Sequence, residues 1–431
     1  MRDNWIEAVL EDVLDYIQPT NYIVDSTEYS NAHKIPVLTA GKSFILGFTN
    51  EEHNIFSELP VIIFDDFTTA IQFVNFRFKV KSSAMKILVP KASLVNLKYV
   101  YYFMQTIRHN SDTHKRYWIS IYSKLCIKLA PLPEQRAIVA KIEELFSELD
   151  NGVANLNKAK EKLEIYRQAV LKKAFEGELT KEWRSRNLVD RNAWTRKKLG
   201  EVLKTIDGDR GKNYPNKNEL LTEGYCLFLS TKNVRQGNFV FDDNIFITKE
   251  KDEILRGGKL LRNDVVITTR GTLGNVALYD AKVKFENVRI NSGMLILRIN
   301  DLNVLTPQFL MRYINSSLFF QQLKAKQSGT AQPQIPANVL REIEIEIPNN
   351  VDEQKQIIDE VENRLTLCNR IIYEIDESLI KADLMRQSIL KQAFEGKLLS
   401  EAEIRMCEKE SDWEPAEKLL EKIKNELRSV K

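Results

Sequence analysis

The chain has 431 residues, 43% of them hydrophobic and 29% charged, which is the composition of a folded protein with two or three domains. Its 63 Lys and Arg residues are nearly balanced by 60 Asp and Glu residues, so the formal net charge is only +3. This balance argues against a protein that binds nucleic acid through phosphate contacts over its whole surface. Positive charge used for such binding must be concentrated on one face or supplied by partners.

The sequence carries no sign of membrane or export signals. No apolar run approaches the ~18 residues needed to cross a bilayer, and the first residues lack the apolar core of a signal peptide. The four cysteines (Cys126, Cys226, Cys368 and Cys407) include no Cys-x-x-Cys pair. We therefore predict neither a zinc site nor a disulfide framework, and we expect a cytoplasmic protein.

The first globular segment, residues 1–130, is predicted to be mixed α/β. Short apolar runs bounded by turns at 35–38, 61–64 and 85–89 predict strands, and residues 97–107 predict a helix.

A long helix is predicted within the next segment, residues 131–187. Pro133 stands where such a helix begins and Gly177 where it ends. Its apolar residues recur at strict seven-residue spacing: Ile142, Leu149, Leu156, Leu163 and Val170. This spacing predicts packing against a partner helix, and about 43 residues at ~1.5 Å each give a rod of ~65 Å.

The second half of the chain repeats this plan. Residues 188–348 are predicted to form a second mixed α/β segment, with strands at 226–229, 265–268, 294–299 and 343–347 and a helix at 306–322. A second long helix follows in residues 349–400, with apolar residues at matching positions: Ile357, Val361, Cys368, Ile371, Ile375, Met385 and Ile389. Residues 401–431 predict an amphipathic helical tail.

Two internal repeats show that the halves are copies. The stretch from Arg167 to Leu179 returns 219 residues later, from Arg386 to Leu398, with the same Ala-Phe-Glu-Gly ending. The opening of each globular segment also matches at a spacing of 189 residues, in the pairs Trp5 and Trp194, Leu10 and Leu199, and Val13 and Val202. The sequence therefore predicts two tandem copies of a two-part module, a globular segment followed by a long helix.

The chain lacks residues that each candidate catalytic chemistry needs. Gly41-Lys42-Ser43 resembles the end of a phosphate-binding loop, but the position of its first glycine is Pro36, which has no N–H to offer a phosphate. Asp65 and Asp66 are adjacent, so an alternating strand would direct them to opposite faces rather than onto one metal ion. No Pro-Pro pair exists for a methyltransferase tetrapeptide, and the four histidines form no repeated ligand pattern. We expect no catalytic centre and no metal site.

Recognition of DNA is the function that the loops favour. Both globular segments place basic, hydroxyl and amide side chains beside glycine-containing turns, and these groups suit phosphate anchoring and base-edge hydrogen bonding. The candidate DNA-binding residues are Lys81, Ser82, Ser83, Lys86, Lys115, Arg116, Arg210, Lys212, Asn213, Lys232, Asn233, Arg270, Thr272, Arg289, Lys326, Thr330 and Gln332.

Together these motifs resemble the specificity subunits of Type I restriction-modification systems, over nearly the whole chain. The resemblance is carried by the helix openings Pro133-Glu-Gln and Asp352-Glu-Gln, by the Ala-Phe-Glu-Gly endings and by the tryptophan openings. The stretch from Gly329 to Ile335 adds to it. The first segment departs from the simple repeat, because His114-Lys-Arg-Tyr-Trp stands there in place of Gly-Thr-Ala-Gln.

The resemblance implies an α+β fold in which two mixed α/β target recognition domains are separated by two long antiparallel coiled-coil helices, with a pseudo-two-fold internal repeat. Each domain would read one half of an asymmetric split site on double-stranded DNA, and the helices would set the spacer and dock two modification (methyltransferase) subunits. S-adenosylmethionine would bind the modification subunits, ATP and Mg the motor-nuclease restriction subunits, and this chain no cofactor. Helix pairing and docking would use Gln135, Ile142, Leu149, Leu156, Leu163, Val170, Phe175, Gln354, Val361, Ile375, Ile389 and Phe394.

Two other functions remain open at this point. A free-standing duplicated DNA-binding or bridging protein would need no methyltransferase partner, and a structural coiled-coil adaptor would use the helices alone. Copurification with a methyltransferase subunit would distinguish a Type I specificity subunit from both of these alternatives.

Overall fold

The computed structural model describes residues 2–39, 43–107, 116–190, 193–326 and 334–429, and it divides into two compact units. Unit 1 comprises residues 1–156 and 376–431, and unit 2 comprises residues 157–375. Both predicted long helices are present, α4 (Leu132–Phe175) and α11 (Val351–Phe394), each of 44 residues. The boundary between the units falls within both helices.

The described residues of unit 1 form nine strands, and its sheets are built from residues far apart in sequence. The elements are β1 (Ile6–Val9), α1 (Leu10–Val13), β2 (Leu14–Ile17), β3 (Ile35–Leu38), β4 (Ile45–Thr49), β5 (Val61–Asp65), β6 (Ile71–Val74), β7 (Lys79–Val80), β8 (Met85–Pro90), α2 (Leu97–Met104), α3 (Tyr117–Ser120), β9 (Cys126–Leu129), α12 (Glu401–Cys407) and α13 (Ala416–Ser429). The sheet orders are β2-β8-β5-β6, β4-β3-β7 and β1-β9.

Unit 2 follows the same scheme in its described residues. The elements are α5 (Lys181–Asn187), β10 (Trp194–Lys198), α6 (Leu199–Val202), β11 (Leu203–Asp207), β12 (Cys226–Leu229), β13 (Val234–Arg235), β14 (Asn238–Phe239), β15 (Phe246–Ile247), α7 (Lys249–Ile254), β16 (Val265–Thr268), β17 (Val276–Leu278), β18 (Val288–Ile290), β19 (Met294–Ile299), α8 (Pro307–Ile314), α9 (Ser317–Lys326), α10 (Ala337–Arg341) and β20 (Glu344–Pro348). The sheet orders are β11-β19-β16-β17, β15-β12-β18, β10-β20 and β13-β14.

The sequence repeat reappears as a repeat of topology. Each unit has a four-stranded sheet, a three-stranded sheet and a pair formed by its first and last strands, in the same order, and in each the three-stranded sheet contains one parallel pairing, β3 with β7 or β12 with β18. The pair β13-β14 of unit 2 has no counterpart among the described strands of unit 1. The predicted mixture of helices and sheets with two long helices is confirmed. No helix within the described ranges is long and apolar enough to span a bilayer.

One predicted helix proves to be two. The apolar pattern of 306–322 predicts a single helix, but α8 ends at Ile314 and α9 begins at Ser317. Ser316 explains the break, because its hydroxyl donates to Tyr313 O at 2.6 Å and accepts from Phe319 N at 3.4 Å. A short polar side chain that bonds to neighbouring backbone in this way competes with the helical hydrogen bonds.

Within each unit the two long helices run antiparallel. In unit 1, Ile138 of α4 lines a small cavity with Ala393 of α11, and further along α4 Asp150 forms an ion pair with Arg386. In unit 2, Arg167 of α4 donates a hydrogen bond to Asn369. Beyond Arg167, residues 170–175 share one hydrophobic cluster with residues 357–365.

The heptad positions form the apolar seam only in part. Ile142, Val170, Val361 and Ile375 are buried, and four others are half-buried: Leu149, Leu156, Leu163 and Ile389. Met385 is exposed, contrary to its assignment to the seam, and Ala382 is buried instead. Ala382 continues the seven-residue spacing after Ile375, so the spacing holds although the apolar side chain is small.

The two glutamines at the helix starts, predicted to serve helix pairing and partner docking, make their contacts inside their own units. Gln135 and Gln354 are buried and face the preceding strands rather than a partner helix. Gln135 Nε2 donates to Ala130 O at 2.7 Å, and Gln354 Nε2 donates to Pro348 O at 3.1 Å and to Val304 O at 2.9 Å. Both amides satisfy backbone carbonyls where a strand turns into a long helix, which buried carbonyls require.

The phenylalanines at the helix ends also pack inside their own units. Phe394 makes edge contacts with Tyr99 and Phe103 in unit 1, with ring centroids 5.1 and 5.3 Å apart. Phe175 contacts Phe309 and Tyr313 in unit 2 at 5.0 and 5.3 Å. The repeated Ala-Phe-Glu-Gly motif therefore fixes the end of each long helix to α2 or α8.

The repeated tryptophans also connect the globular segments to the long helices. Trp5 Nε1 donates to Glu134 Oε2 at 2.9 Å in unit 1, and Trp194 Nε1 donates to Glu353 Oε2 at 3.1 Å in unit 2. Glu353 also accepts from Arg184 Nη1 at 2.7 Å, from the helix that follows α4. Each tryptophan–glutamate hydrogen bond ties the beginning of a globular segment, at Trp5 just before β1 or at Trp194 in β10, to the start of a long helix.

Candidate nucleic-acid interface

Four loops of unit 2 meet at one end of its four-stranded sheet. β11 and β16 end at the edge where their antiparallel neighbour β19 begins, so the loops that flank these ends lie together. Thr269 Oγ1 donates to Gly293 O at 3.0 Å, Arg210 Nη2 to Ser292 O at 3.4 Å, and Asn291 N to Leu229 O at 3.0 Å. We call residues 207–213, 230–233, 269–275 and 291–293 the unit 2 loop cluster.

Glycines allow the loops of this cluster to approach so closely. A Cβ on Gly208 would lie 2.2 Å from Asn291 O, far inside van der Waals contact. Gly271 has φ +71, a left-handed conformation that side chains other than glycine rarely adopt. The Arg270-Gly-Thr turn therefore needs its glycine for conformation, while Gly208 is needed for space.

The unit 2 loop cluster presents exposed cations on one surface. Arg210, Lys212, Lys232 and Arg270 are exposed, as is Thr272, and Asn213 is half-buried. Arg210 is paired with Asp207, whose Oδ1 lies 2.8 Å from Nη2. Arg270 forms no ion pair with any residue in the described ranges.

Two candidates of unit 2 are internal and do not reach this surface. Asn233 is buried, where its Nδ2 donates to Val240 O and Asp243 O, both at 3.1 Å. Arg289 is only 5% exposed and donates to Asp252 Oδ1 at 2.5 Å and to Gly257 O at 2.7 Å. Lys326 is exposed at the end of α9. Thr330 and Gln332 lie outside the described residues.

A buried cation on the parallel strand is a repeated feature of both units. Lys79 at the start of β7 is fully buried and donates to Glu51 Oε2 at 2.5 Å, as Arg289 on β18 donates to Asp252. Burial opposes ionisation of Asp252, but hydrogen bonds from Lys259 and Arg289 outweigh it and lower the pKa of that carboxyl. These cations stabilise the fold of each unit and are already neutralised inside it.

Unit 1 has an equivalent cluster at the same end of its sheet. Asp66 N donates to Ala84 O at 3.3 Å, and Tyr117 N donates to Asp66 O at 3.1 Å, so the loops that carry Ser83 and Arg116 lie on either side of the turn after β5. We call residues 65–70, 81–84 and 116–118 the unit 1 loop cluster. Lys81, Ser83 and Arg116 are exposed and Ser82 is half-buried, whereas Lys115 lies outside the described residues.

Lys86 is a further candidate that the structure withdraws from the surface. It is 3% exposed, donates from Nζ to Gln18 Oε1 at 2.5 Å and lies 3.8 Å from Asp66 Oδ2. Burial lowers the pKa of its ammonium group, and the nearby carboxylate of Asp66 partly offsets this.

Four acidic side chains of unit 1, on Asp25, Glu51, Asp65 and Asp66, are engaged in internal contacts. Asp65 caps the turn after β5, and Asp66 Oδ1 accepts from Trp118 N at 2.8 Å. Asp25, Glu51 and His53 lie within 4.8 Å of one another, but Lys79 already pairs with Glu51, and His53 Nε2 lies 2.9 Å from Asp25 Oδ2. The chemistry that these clusters offer is hydrogen bonding and charge pairing with a polar, anionic surface.

Sequence reasoning missed residues 291–293 and Phe67, which both belong to these surfaces. The signal for the first was the glycine-containing turn before the strand at 294–299. The signal for Phe67 appears only when the two copies are aligned on the ends of β5 and β16.

Comparison with known proteins identifies the family. Residues 192–379 match the model of the Type I restriction modification DNA specificity domain. The chain is 34% identical over 377 residues to the Type I restriction enzyme EcoR124I/EcoR124II specificity subunit of Escherichia coli, covering 84% of this chain and 87% of that protein. It is 26% identical to the EcoKI specificity subunit of Escherichia coli (strain K12), covering 70% and 63%.

Solved structures share the fold at low sequence identity. A chain from a study of complex assembly and conformational transition of the type I R-M system superposes with a TM-score of 0.67 at 18% identity, covering 92% of this chain and 99% of that chain. The HsdS subunit from Thermoanaerobacter tengcongensis gives 0.50 at 17% identity, covering 92% and 98%. The chain belongs to the specificity subunits of Type I restriction-modification enzymes.

Proposed function

We propose that the two loop clusters each read one half of a split DNA site, within target recognition segments at residues 1–130 and 188–348. The observation that carries this proposal is that both units have the same strand topology but present different exposed side chains at the same sheet edge. A shared scaffold with different contact residues suits two half-sites of different sequence.

The charge of the clusters supports contact with DNA. The chain as a whole carries a formal charge of only +3, yet the unit 2 loop cluster groups four exposed cations. Cations on one surface attract the phosphate backbone, while the hydroxyl and amide groups among them suit base edges. The buried candidates Lys86, Asn233 and Arg289 are engaged in contacts inside their own units, so we assign them no contact with DNA.

We further propose that the long helices set the spacer between the half-sites and dock two modification subunits. Apolar side chains on the helices remain exposed within the units, which suits partner surfaces: Ile165, Tyr166, Leu367 and Tyr373 in unit 2, and Ile380 and Leu384 in unit 1. Catalysis then belongs to partners, with S-adenosylmethionine on the modification subunits and ATP and Mg on the restriction subunits, and assembly takes place in the cytoplasm.

The test is a segment exchange read out by methylation. The chain is coexpressed with a modification subunit, residues 1–130 are replaced by the segment of another specificity subunit, and methylated adenines are mapped across the host genome. We expect one half-site to change while the other half and the spacer stay the same. A change in both halves at once would contradict independent reading, and methylation by the purified chain alone would contradict its non-catalytic role.

A further inference from the structure

The turn after β5 exposes an aromatic side chain at the position where unit 2 exposes an arginine. Asp65 ends β5 opposite Met85, and Thr268 ends β16 opposite Met294. The next residue in each copy accepts an equivalent backbone hydrogen bond, from Tyr117 N to Asp66 O and from Ile335 N to Thr269 O, both at 3.1 Å. The residue after that is Phe67 in unit 1 and Arg270 in unit 2. The two side chains are therefore topological equivalents.

Phe67 is held at the tip of a stiff turn. Asp65 Oδ1 accepts from Phe67 N at 2.9 Å and from Thr68 N at 3.2 Å, and Asp65 Oδ2 accepts from Thr68 Oγ1 at 2.5 Å. Asp65 N also donates to Ala70 O at 2.8 Å, which closes the turn. Because the turn is already ordered, the loop loses little conformational entropy when an outside partner contacts Phe67.

The surroundings of Phe67 are polar and basic. The hydrogen bonds of Asp66 bring Ala84 to one side of the turn and Tyr117 to the other, so the exposed Ser83 and Arg116 flank it. The ring nevertheless remains 40% exposed. Aromatic side chains that contact bases, set among cations that contact the phosphate backbone, are a combination used in nucleic-acid binding.

We propose that Phe67 is a specificity-determining residue that makes an apolar contact with a base of the half-site read by unit 1. Arg270 makes the equivalent contact in unit 2 by hydrogen bonding to a base edge. The chemistry recognised by Phe67 is an apolar base surface, either the methyl group of thymine or the face of a partly unstacked base. This inference rests on the proposed function, because it requires the unit 1 loop cluster to face DNA.

The test uses the complete complex with its modification subunit and compares Phe67→Ala with Phe76→Ala. Phe76 is a matched control, because it lies in the same unit and is 37% exposed. It precedes β7, whereas Lys81 of the unit 1 loop cluster follows β7, so Phe76 lies outside that cluster. We expect Phe67→Ala to lower affinity for the cognate site about 5- to 150-fold, which is ~1–3 kcal/mol, the range for one base stacked on an aromatic ring. Methylation mapping should show one relaxed base position in the half-site that residues 1–130 read, with the other half-site unchanged.

The outcomes separate this proposal from the one on which it rests. If Phe67→Ala behaves like Phe76→Ala while Arg116→Ala weakens binding, the cluster faces DNA but Phe67 does not read a base. Equal weakening of binding to cognate and unrelated DNA by Phe67→Ala would also overturn the proposal. If neither Phe67→Ala nor Arg116→Ala changes binding, the proposed interface itself is wrong. Replacing the thymines of that half-site with uracil distinguishes the two apolar surfaces, because only a methyl contact is lost.

Discussion

Lengthening both long helices by one heptad should lengthen the spacer of the DNA site. The insertions follow Leu156 in α4 and Ile375 in α11, where the boundary between the two units falls, so the internal contacts of each unit are kept. Both helices have 44 residues, and seven added residues preserve the apolar spacing on both sides of the half-buried Leu156 and the buried Ile375.

The magnitude follows from helix geometry. Seven residues at ~1.5 Å each extend the helices by ~10 Å, and DNA rises ~3.4 Å per base pair, so the spacer should grow by about three base pairs. Three base pairs also turn the second half-site by ~100° on a duplex with ~10.5 base pairs per turn. We therefore expect a lengthened spacer together with reduced activity, since twisting of the helices or the DNA must absorb part of this rotation.

The assay is mapping of methylated adenines in a host that expresses the double-insertion variant with its modification subunit. Both half-sites should keep their sequence while the unspecified bases between them increase. A variant with the heptad in α4 alone is the control, because it leaves the helices unequal in length and should lose activity. An active double-insertion variant that methylates sites with the original spacer would show that the helices do not set the distance.

Three further predictions concern the start of α11, the buried ion pair of Asp252 and the unit 2 loop cluster. Glu353→Ala removes the partner of the buried Arg184 and should lower the free energy of unfolding by about 3–5 kcal/mol in urea titrations, whereas Lys355→Ala, on an exposed pair, should change it by less than ~1 kcal/mol. The pKa of Asp252 is lowered in the fold, so wild type should have a higher free energy of unfolding than Asp252→Asn. This difference should be fully present above about pH 4 and should shrink as the pH falls through the lowered pKa. A difference that stays constant down to about pH 2 would contradict the ion pair. Arg270→Ala should cost ~1–3 kcal/mol of DNA affinity and relax one base of the second half-site, and equal weakening on all sequences would assign it to a phosphate instead.

Local patterns in the sequence predicted much of the fold. The seven-residue spacing and the absence of interrupting prolines predicted α4 and α11 to within a few residues, because helix periodicity depends on neighbouring positions. The strands at 35–38, 226–229, 265–268 and 294–299 have the bounds that their apolar runs predicted. The repeat required no structure at all, since duplicated segments share residues directly.

The sequence by itself also identified loops rich in basic, hydroxyl and amide residues, but it did not decide which of their side chains reach the surface. Lys86 and Arg289 are of the same residue types as the exposed Lys232 and Arg270, and nothing local separates the two groups. Their burial depends on partners far along the chain: Gln18 is 68 residues from Lys86, and Asp252 is 37 residues from Arg289. A buried cation is stable only where such a partner is brought to it, and that is a property of the folded sheet order rather than of any segment. Tertiary structure likewise showed that Phe67 and Arg270 hold equivalent positions in the two copies. The two turns correspond only once the ends of β5 and β16 are aligned by their strand pairings.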